Sequence, residues 1–538
     1  ETVEQVRRKE QMLDTLQQPD APLARWRRIA DLWCAAWFTD GPTRAARSAY
    51  HALRDAVLDG RGPLPAHVTS RQISEATATA RRRHFFHWEL EFPEVFFDAD
   101  GRRDPGGGFD AVIGNPPWDM VRGDTGSAGE RARMRDEAVR LVRFARDSGV
   151  YESPTRGHVN RYQLFVERSM ALLRDGGRWG LVLPGGLLVD HSSGSLRRLI
   201  LSRCVLDGLV TFDNRRGIFP IHRSVRFGLL TATKGASTGH FGARLGESDP
   251  AILERDDSGS PDWFPVPLSG DLLHRLSGDD LVVPDVRSPL DVQLLERCGA
   301  LFPALGSPSG WQARFGRELN ATDDAALLRP AGDGLPVIEG KHLWPFSVRV
   351  AHATRAIATP DAVRRLGAQV FRARLAYRDV ASATNRQTLI AALLPGGCAS
   401  THTVFCLKTP LSRLAQHFLC GLFNSYVVNY LARRWVSTHV TTVVVERLPL
   451  PTLRHDPVGA RRIAVLARRL SHHGSGVGAT AALQLAELNA IVARLYQLTW
   501  REYAHVLDTF PLVPAEERTR ALDVYRGKPE KTGPGDEG

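Results

Sequence analysis

Phe109-Asp110-Ala111-Val112-Ile113-Gly114-Asn115-Pro116-Pro117-Trp118 is a short apolar run that stops abruptly in Asn-Pro-Pro-aromatic. A buried-type run of this length, closed by glycine and proline, predicts a β-strand leading into a stiff turn. Each proline fixes its own φ and drives the preceding residue out of the helical region, so Asn115 and Pro116 are both held extended. Such a turn carries two fixed hydrogen-bond acceptors, the side-chain oxygen of Asn115 and the backbone carbonyl of Pro116, beside the flat indole of Trp118. A proline-stiffened turn alone would account for Pro116 and Pro117. The full order (acidic residue, strand, Asn-Pro-Pro, aromatic) fits a chemical task as well. The exocyclic amine of a nucleobase is a poor nucleophile, because its lone pair is delocalised into the ring. Two acceptors that hold both of its hydrogens draw the nitrogen towards sp3 character, with no covalent cysteine required. Stacking on Trp118 would contribute about 1–3 kcal/mol against the few kcal/mol needed to swing a base out of a duplex.

Residues 109–118 resemble motif IV of the gamma-class DNA adenine-N6 methyltransferases, most closely the large type IIG restriction-modification methylases and their phage-defence relatives in BREX and DISARM systems. The resemblance continues in order along the chain. Asn160-Arg161-Tyr162-Gln163-Leu164-Phe165 leads to residues 172–184 as the family's helix-then-strand segment does. Gly217-Ile218-Phe219-Pro220 is similar to motif VIII, which makes Phe219 a second stacking residue on the flipped base. Ile338-Glu339-Gly340-Lys341-His342-Leu343-Trp344-Pro345-Phe346 resembles the Glu-Gly-Lys opening of a target-recognition region. Residues 374–395, 423–451 and 501–511 are also family-like. The resemblance implies a site-specific, S-adenosylmethionine-dependent methyltransferase acting on double-stranded DNA. It assigns Asn115, Pro116, Pro117 and Trp118 to catalysis, Trp118 and Phe219 to base stacking, and Lys341, Arg374, Arg378 and Arg386 to DNA contact.

One part of the family pattern is not found. The methyl-donor motif, a strand followed by a Gly-x-Gly loop and a helix, should precede residue 109. The sole candidate, Asp59-Gly60-Arg61-Gly62, follows a helical pattern and precedes Pro63 and Pro65, so it reads as a loop. The donor site is therefore expected upstream of residue 1. It could lie on the same gene or on an N-terminal methyltransferase half that acts as a partner, beside other defence-system subunits. The chain alone is expected to be inactive.

Patterning along the chain predicts an α/β protein: part of a Rossmann-like methyltransferase sheet, then a mixed α+β target-recognition domain and C-terminal helices. Residues 1–90 read as a helical insert, and 91–235 as the catalytic half. In that half, apolar runs at 111–113, 180–183, 209–212 and 227–232 alternate with helical stretches at 131–146, 162–173 and 196–204. Residues 236–290, rich in Gly, Ser, Asp and Pro, read as a linker or insertion. Residues 291–455 read as the recognition domain, 456–515 as helical apart from a break at 471–479, and 516–538 as a disordered tail. No internal repeat is visible.

The 538 residues carry a net charge of +11, and only six of the 70 basic residues are Lys. Arginine pairs bidentately with phosphate and with guanine edges, but codon bias towards Arg supplies the same excess, so charge supports DNA binding only weakly. No apolar run approaches the ~18 residues of a membrane span, and no signal-peptide pattern is present. The six cysteines lack Cys-x-x-Cys spacing, which argues for a reduced, cytoplasmic chain without a bound metal. His472 and His473 sit in a Gly/Ser stretch and read as solvated linker. Glu339-Gly340-Lys341 fits the Glu-x-Lys of metal-dependent nucleases, yet the nearest upstream Pro-Asp, Pro284-Asp285, is far away. Gly176-Gly177 and Gly185-Gly186 bracket a strand and read as turns, and Asp104-Pro105-Gly106-Gly107-Gly108 as a flexible approach to the strand at 109. Two other readings remain open: an RNA or protein methylase using the same motif, and a non-catalytic DNA-recognition subunit.

Overall fold

The computed structural model describes residues 2–18, 21–38, 43–60, 62–119, 128–154, 159–223, 225–254, 262–380, 385–436, 439–472 and 478–527. Two compact units form: residues 1–209 with 227–241, and residues 210–226 with 242–538.

The first unit opens with helices α1 (Val3–Gln17), α2 (Ala24–Phe38), α3 (Thr43–Asp59) and α4 (Ala66–Arg83). Apolar residues at helical spacing bring Leu32, Ala35, Leu53 and Ala76 into one core, closed by Tyr50, Ile73 and Phe85. Two short turns follow, α5 (Trp88–Glu91) and α6 (Pro93–Phe96), and then strand β1 (Phe109–Gly114). Trp88, Phe92 and Phe96 meet Phe109 edge to face at 5.7, 5.4 and 5.5 Å, fixing where β1 starts. Gly108 sits at φ +143°, and a Cβ there would lie 2.3 Å from the backbone nitrogen of Arg174. The glycine run before β1 is thus a close-packed approach, not the flexible one expected. Helix α7 (Ala128–Asp147) caps the end of α2: Arg140 donates to the carbonyl of Phe38 at 2.9 Å and Arg143 to that of Trp37 at 3.1 Å.

Helix α8 (Arg161–Leu172) returns the chain to β2 (Leu173–Pro184), which lies parallel to β1, with Ala111 opposite Arg178 and Gly114 opposite Leu181. Helices α9 (Gly186–Val189) and α10 (Gly194–Arg203) lead to β3 (Cys204–Asp213), and β4 (Arg226–Lys234), β5 (His240–Glu247) and β6 (Val266–Ser269) complete a mixed six-stranded sheet ordered β1-β2-β4-β3-β5-β6. This is the α/β architecture read from the sequence. The stretch 236–290, expected as a linker or insertion, carries two of these strands: Phe241, Ala243 and Leu245 alternate into the core from β5, and Val266 and Leu268 from β6. Its Gly, Ser and Pro mark the turns between strands, and residues 255–261 lie outside the described set.

The second unit carries β7 (Phe315–Gly316), β8 (Leu328–Pro330), β9 (Leu335–Ile338), β10 (Leu343–Trp344), β11 (Ser347–Val348), β12 (Arg355–Ile357), β13 (Arg374–Arg378), β14 (Ala391–Leu394), β15 (Ala399–Ser400) and β16 (Val404–Leu407). They form two four-stranded sheets, β15-β9-β12-β8 and β14-β13-β16-β7, and a β10–β11 hairpin. Helices follow, and the expected disordered tail begins as one of them. Residues Ala515–Arg526 are helical, with Glu516 and Glu517 in the first turn and Gly527 closing the end at φ +68°. This helix packs on Ala479–Leu495, and the Tyr525 ring meets that of Tyr503 at 5.2 Å with a 50° tilt. Residues 528–538, and 473–477 within the expected break, lie outside the described set.

Arg374 joins these elements, and its expected DNA contact is corrected here. Its guanidinium grips Glu318 in two 2.7 Å bonds and donates to the Cys398 carbonyl at 2.8 Å, with 7% of its side chain exposed and 1% of Glu318's. Ser400 adds its N–H and hydroxyl to the same carboxylate at 2.9 and 2.8 Å. The pair is buried, and four of the five guanidinium N–H groups are bonded, the fourth to the Arg372 carbonyl at 3.2 Å. Removing one partner strands a buried charge. Glu318→Ala is therefore expected to destabilise the second unit by about 3–5 kcal/mol, whereas the double change Glu318→Leu/Arg374→Met should recover most of the loss. Thermal unfolding of the three proteins checks this, and equal midpoints for wild type and Glu318→Ala would contradict it.

Candidate active site

Asn115 begins where β1 leaves its last register pair, Gly114 with Leu181, so the loop 115–118 runs past the C-terminal end of a parallel strand pair. That edge is where open α/β sheets present ligand-binding loops. Asn115 and Asp119 are exposed, Pro116 is buried, and Pro117 and Trp118 are half-buried. The loop is tied down on both sides. The indole N–H of Trp118 donates to the Val182 carbonyl of β2 at 3.3 Å, and its ring lies 6.3 Å from that of Phe227 at a 30° tilt. Beyond it, the N–H of Arg161, first residue of α8, donates to the Asp119 carbonyl at 3.1 Å. The Asn115 side chain has no hydrogen-bond partner among the described residues, so its amide oxygen is available to a ligand.

The start of α8 is itself held by groups to which the sequence reading assigned no role. Gln163 accepts the N–H of Asn160 at 3.0 Å and donates to the Ser193 hydroxyl at 2.9 Å, while the Tyr162 hydroxyl meets Ser193 at 3.0 Å. Ser193 has no exposed surface. Burial pushes the Tyr162 phenol up to about 12, so it remains a neutral hydrogen-bonding group. Asn160 and Gln163 are three residues apart, the helix-start signature Asn-x-x-Gln, and that spacing was the available signal.

The other assigned residues lie in the second unit. Phe219 is half-buried on the turn after β3. The fully buried Asn214 brackets its backbone, accepting its N–H at 2.9 Å and donating to its carbonyl at 3.1 Å. Phe212, 2% exposed, belongs to the core of the sheet. Arg386 is paired with Glu517, and Lys341 with Glu339 at 2.6 Å. Arg378 is half-buried and has no carboxylate partner among the described residues. Glu339 is thus spent on its lysine, and Asp285 on Arg226 at 2.9 Å. No group of three His, Cys, Asp or Glu among the described residues is placed to hold a metal ion, and no described helix is long and apolar enough to cross a membrane. Gly60, at φ +67°, ends the turn after α3, and no strand precedes it among the described residues.

Comparison with known proteins places this geometry. Residues 32–219 match the Eco57I restriction-modification methylase family model. The match covers the helical region from residue 32 onward, β1, the 115–118 loop, β2 and β3, and ends at Phe219, so this part of the chain is similar to a methylase domain. A Type II methyltransferase of Thermus thermophilus is 33% identical over 100 residues, which are 18% of this chain and 21% of that protein. Among solved structures, the type IIL restriction-modification enzyme MmeI in complex with DNA aligns at 11% identity and a TM-score of 0.42, over 87% of this chain and 61% of its own. The type IIG restriction endonuclease BpuSI aligns at 11% identity and a TM-score of 0.30, over 78% and 54%. This chain thus spans about a fifth of the curated relative and under two thirds of either structure.

Gln163 makes a testable claim about the loop. Gln163→Met keeps volume but leaves the Asn160 N–H and the buried Ser193 hydroxyl each short of a partner, a loss of about 1–3 kcal/mol. Hydrogen exchange should quicken at Asn160 and Arg161 before it does in β2. Unchanged protection there would mean that Gln163 does not anchor the loop.

Proposed function

We propose that this chain is the base-capturing and DNA-reading portion of an adenine-N6 DNA methyltransferase of a restriction-modification or phage-defence system. The observation that carries the reading is the available amide of Asn115, fixed by two prolines at the C-terminal end of β1 and backed by the half-buried Trp118. The Asn115 oxygen and the Pro116 carbonyl accept the two N6 hydrogens of a flipped adenine, and Trp118 stacks on its ring. The methyl group comes from S-adenosylmethionine, which supplies an electrophilic methyl and is held by a segment other than those described. Phe219 stays a second stacking residue on the strength of its sequence match.

The edge of β1 supports a separate donor segment. Among the described residues β1 is an end strand of its sheet, paired with β2 on one side only, and Ile113 on it is an apolar residue 91% exposed. A further strand from the donor-binding segment would cover it. The chain on its own then binds duplex DNA without methylating it, with an affinity that falls steeply with salt as counterions are released.

Asn115→Ala, made in the protein with its donor-binding segment supplied, should abolish transfer of labelled methyl to a cognate duplex while duplex affinity stays within a few fold. Near-normal turnover would remove Asn115 from the chemistry. Ile113→Lys in the same protein should lower transfer by weakening assembly, and excess donor segment should partly restore it. Robust transfer by residues 1–538 alone would place the donor site within this chain.

A further inference from the structure

The second unit holds a rigid basic and aromatic surface around Gly340. Its centre is the β10–β11 hairpin. Phe346 at the hairpin tip takes the left-handed conformation, φ +65°, and is 6% exposed, and its N–H donates to the Ala391 carbonyl of β14 at 2.9 Å. The hairpin is thus pinned by its tip into the sheet behind it. The N–H of Arg349 closes the other end on the His342 carbonyl at 3.0 Å. Leu343 points into the core, and Trp344, one residue on, is 40% exposed. The Arg349 guanidinium lies over the Trp344 ring at 4.1 Å, making one flat cationic platform.

The residues flanking the hairpin in the chain carry further cations. Lys341 is 62% exposed and Arg355 46%, and the single carboxylate of Glu339 lies 2.6 Å from the first and 3.9 Å from the second. The stem of Arg378 packs against Gly340, where a Cβ would meet its Cγ at 3.3 Å. One carboxylate thus faces two cations, and Arg378 beside it has no carboxylate partner among the described residues. Two buried arginines elsewhere in the unit are consumed internally, Arg374 by Glu318 and Arg434 by Asp291.

We infer that the Trp344–Arg349 platform enters a groove of double-stranded DNA while Lys341 and Arg378 contact the flanking phosphates, making this hairpin a specificity-determining element. The inference rests on the proposed DNA reading and extends it to Trp344 and Arg349. A rigid hairpin holds its aromatic at one register on the duplex, and cations on either side fix that register through the backbone. The planar guanidinium on the ring can pair bidentately with a guanine edge.

The test uses the full chain, a panel of duplexes and single-stranded RNA of matching sequence, each measured across a salt series, with thermal unfolding to verify that variants fold. Trp344→Ala should weaken duplex binding by about five- to a hundredfold, and Trp344→Phe should restore part of it. Lys341→Ala and Arg378→Ala should each lower the slope of log affinity against log salt by about one. Arg349→Ala should narrow the difference in affinity among duplexes of different sequence. If wild type binds duplex and the folded variants bind it with unchanged affinity, slope and sequence preference, the inference is overturned while the DNA reading stands. If wild type binds no duplex, the DNA reading itself falls. Losses confined to RNA binding would assign the platform to RNA and overturn it too.

Discussion

The parallel ladder between residues 111–114 of β1 and 178–181 of β2 is the constraint on which the site depends. It delivers Asn115 to one sheet edge, and everything beyond is arranged to keep it there. Pro116 and Pro117 remove two backbone N–H donors, so the chain cannot extend the ladder and must turn. Trp118 hangs the turn on the next strand through the Val182 carbonyl, and Arg161 hangs the far side on α8. None of these ties uses the Asn115 side chain, which has no hydrogen-bond partner among the described residues.

The second unit shows why net charge is a poor guide to nucleic-acid contact. Asp291 accepts from Tyr430 at 2.6 Å and His505 at 2.9 Å and lies 3.6 Å from Arg434, drawing together helices Pro289–Leu301, Tyr426–Arg433 and Trp500–Asp508. Although burial opposes it, the hydrogen bond from His505 and the charge of Arg434 hold this carboxyl well below the usual range. Arg433 donates to the carbonyls of Thr509 and Arg386 and lies 3.9 Å over the Phe510 ring, and burial pulls it down to about 10. Such arginines are structural cross-links, and the surface charge left over is smaller than +11 suggests.

What was legible in the sequence was local. The strand at 109–114 announced itself by an apolar run cut off by prolines, and α7, α8 and α10 by helical periodicity. The missed features depend on partners distant in the chain. Arg374 looks like any exposed arginine until Glu318 is found 56 residues earlier. β5 hides in a Gly- and Ser-rich stretch because its alternation of Phe241, Ala243 and Leu245 spans only eight residues. Helix Ala515–Arg526 buries little beyond Ala521 and looks disordered by composition, but Tyr525 secures it on Tyr503. The bracket of Asn214 around Phe219 is a side-chain to backbone turn with no periodic signature.

The exposed margin of β1 also governs how the isolated chain behaves in solution. Its outward N–H and C=O groups and Ile113 form a template that another copy can pair with, the usual origin of edge-to-edge aggregation. The template is short. Phe109 is enclosed at one end by three aromatic rings, and Pro116 blocks extension at the other. Asp110, 84% exposed beside Arg174, places a charge along it. The same prolines that stiffen the 115–118 turn therefore act as gatekeepers against self-association.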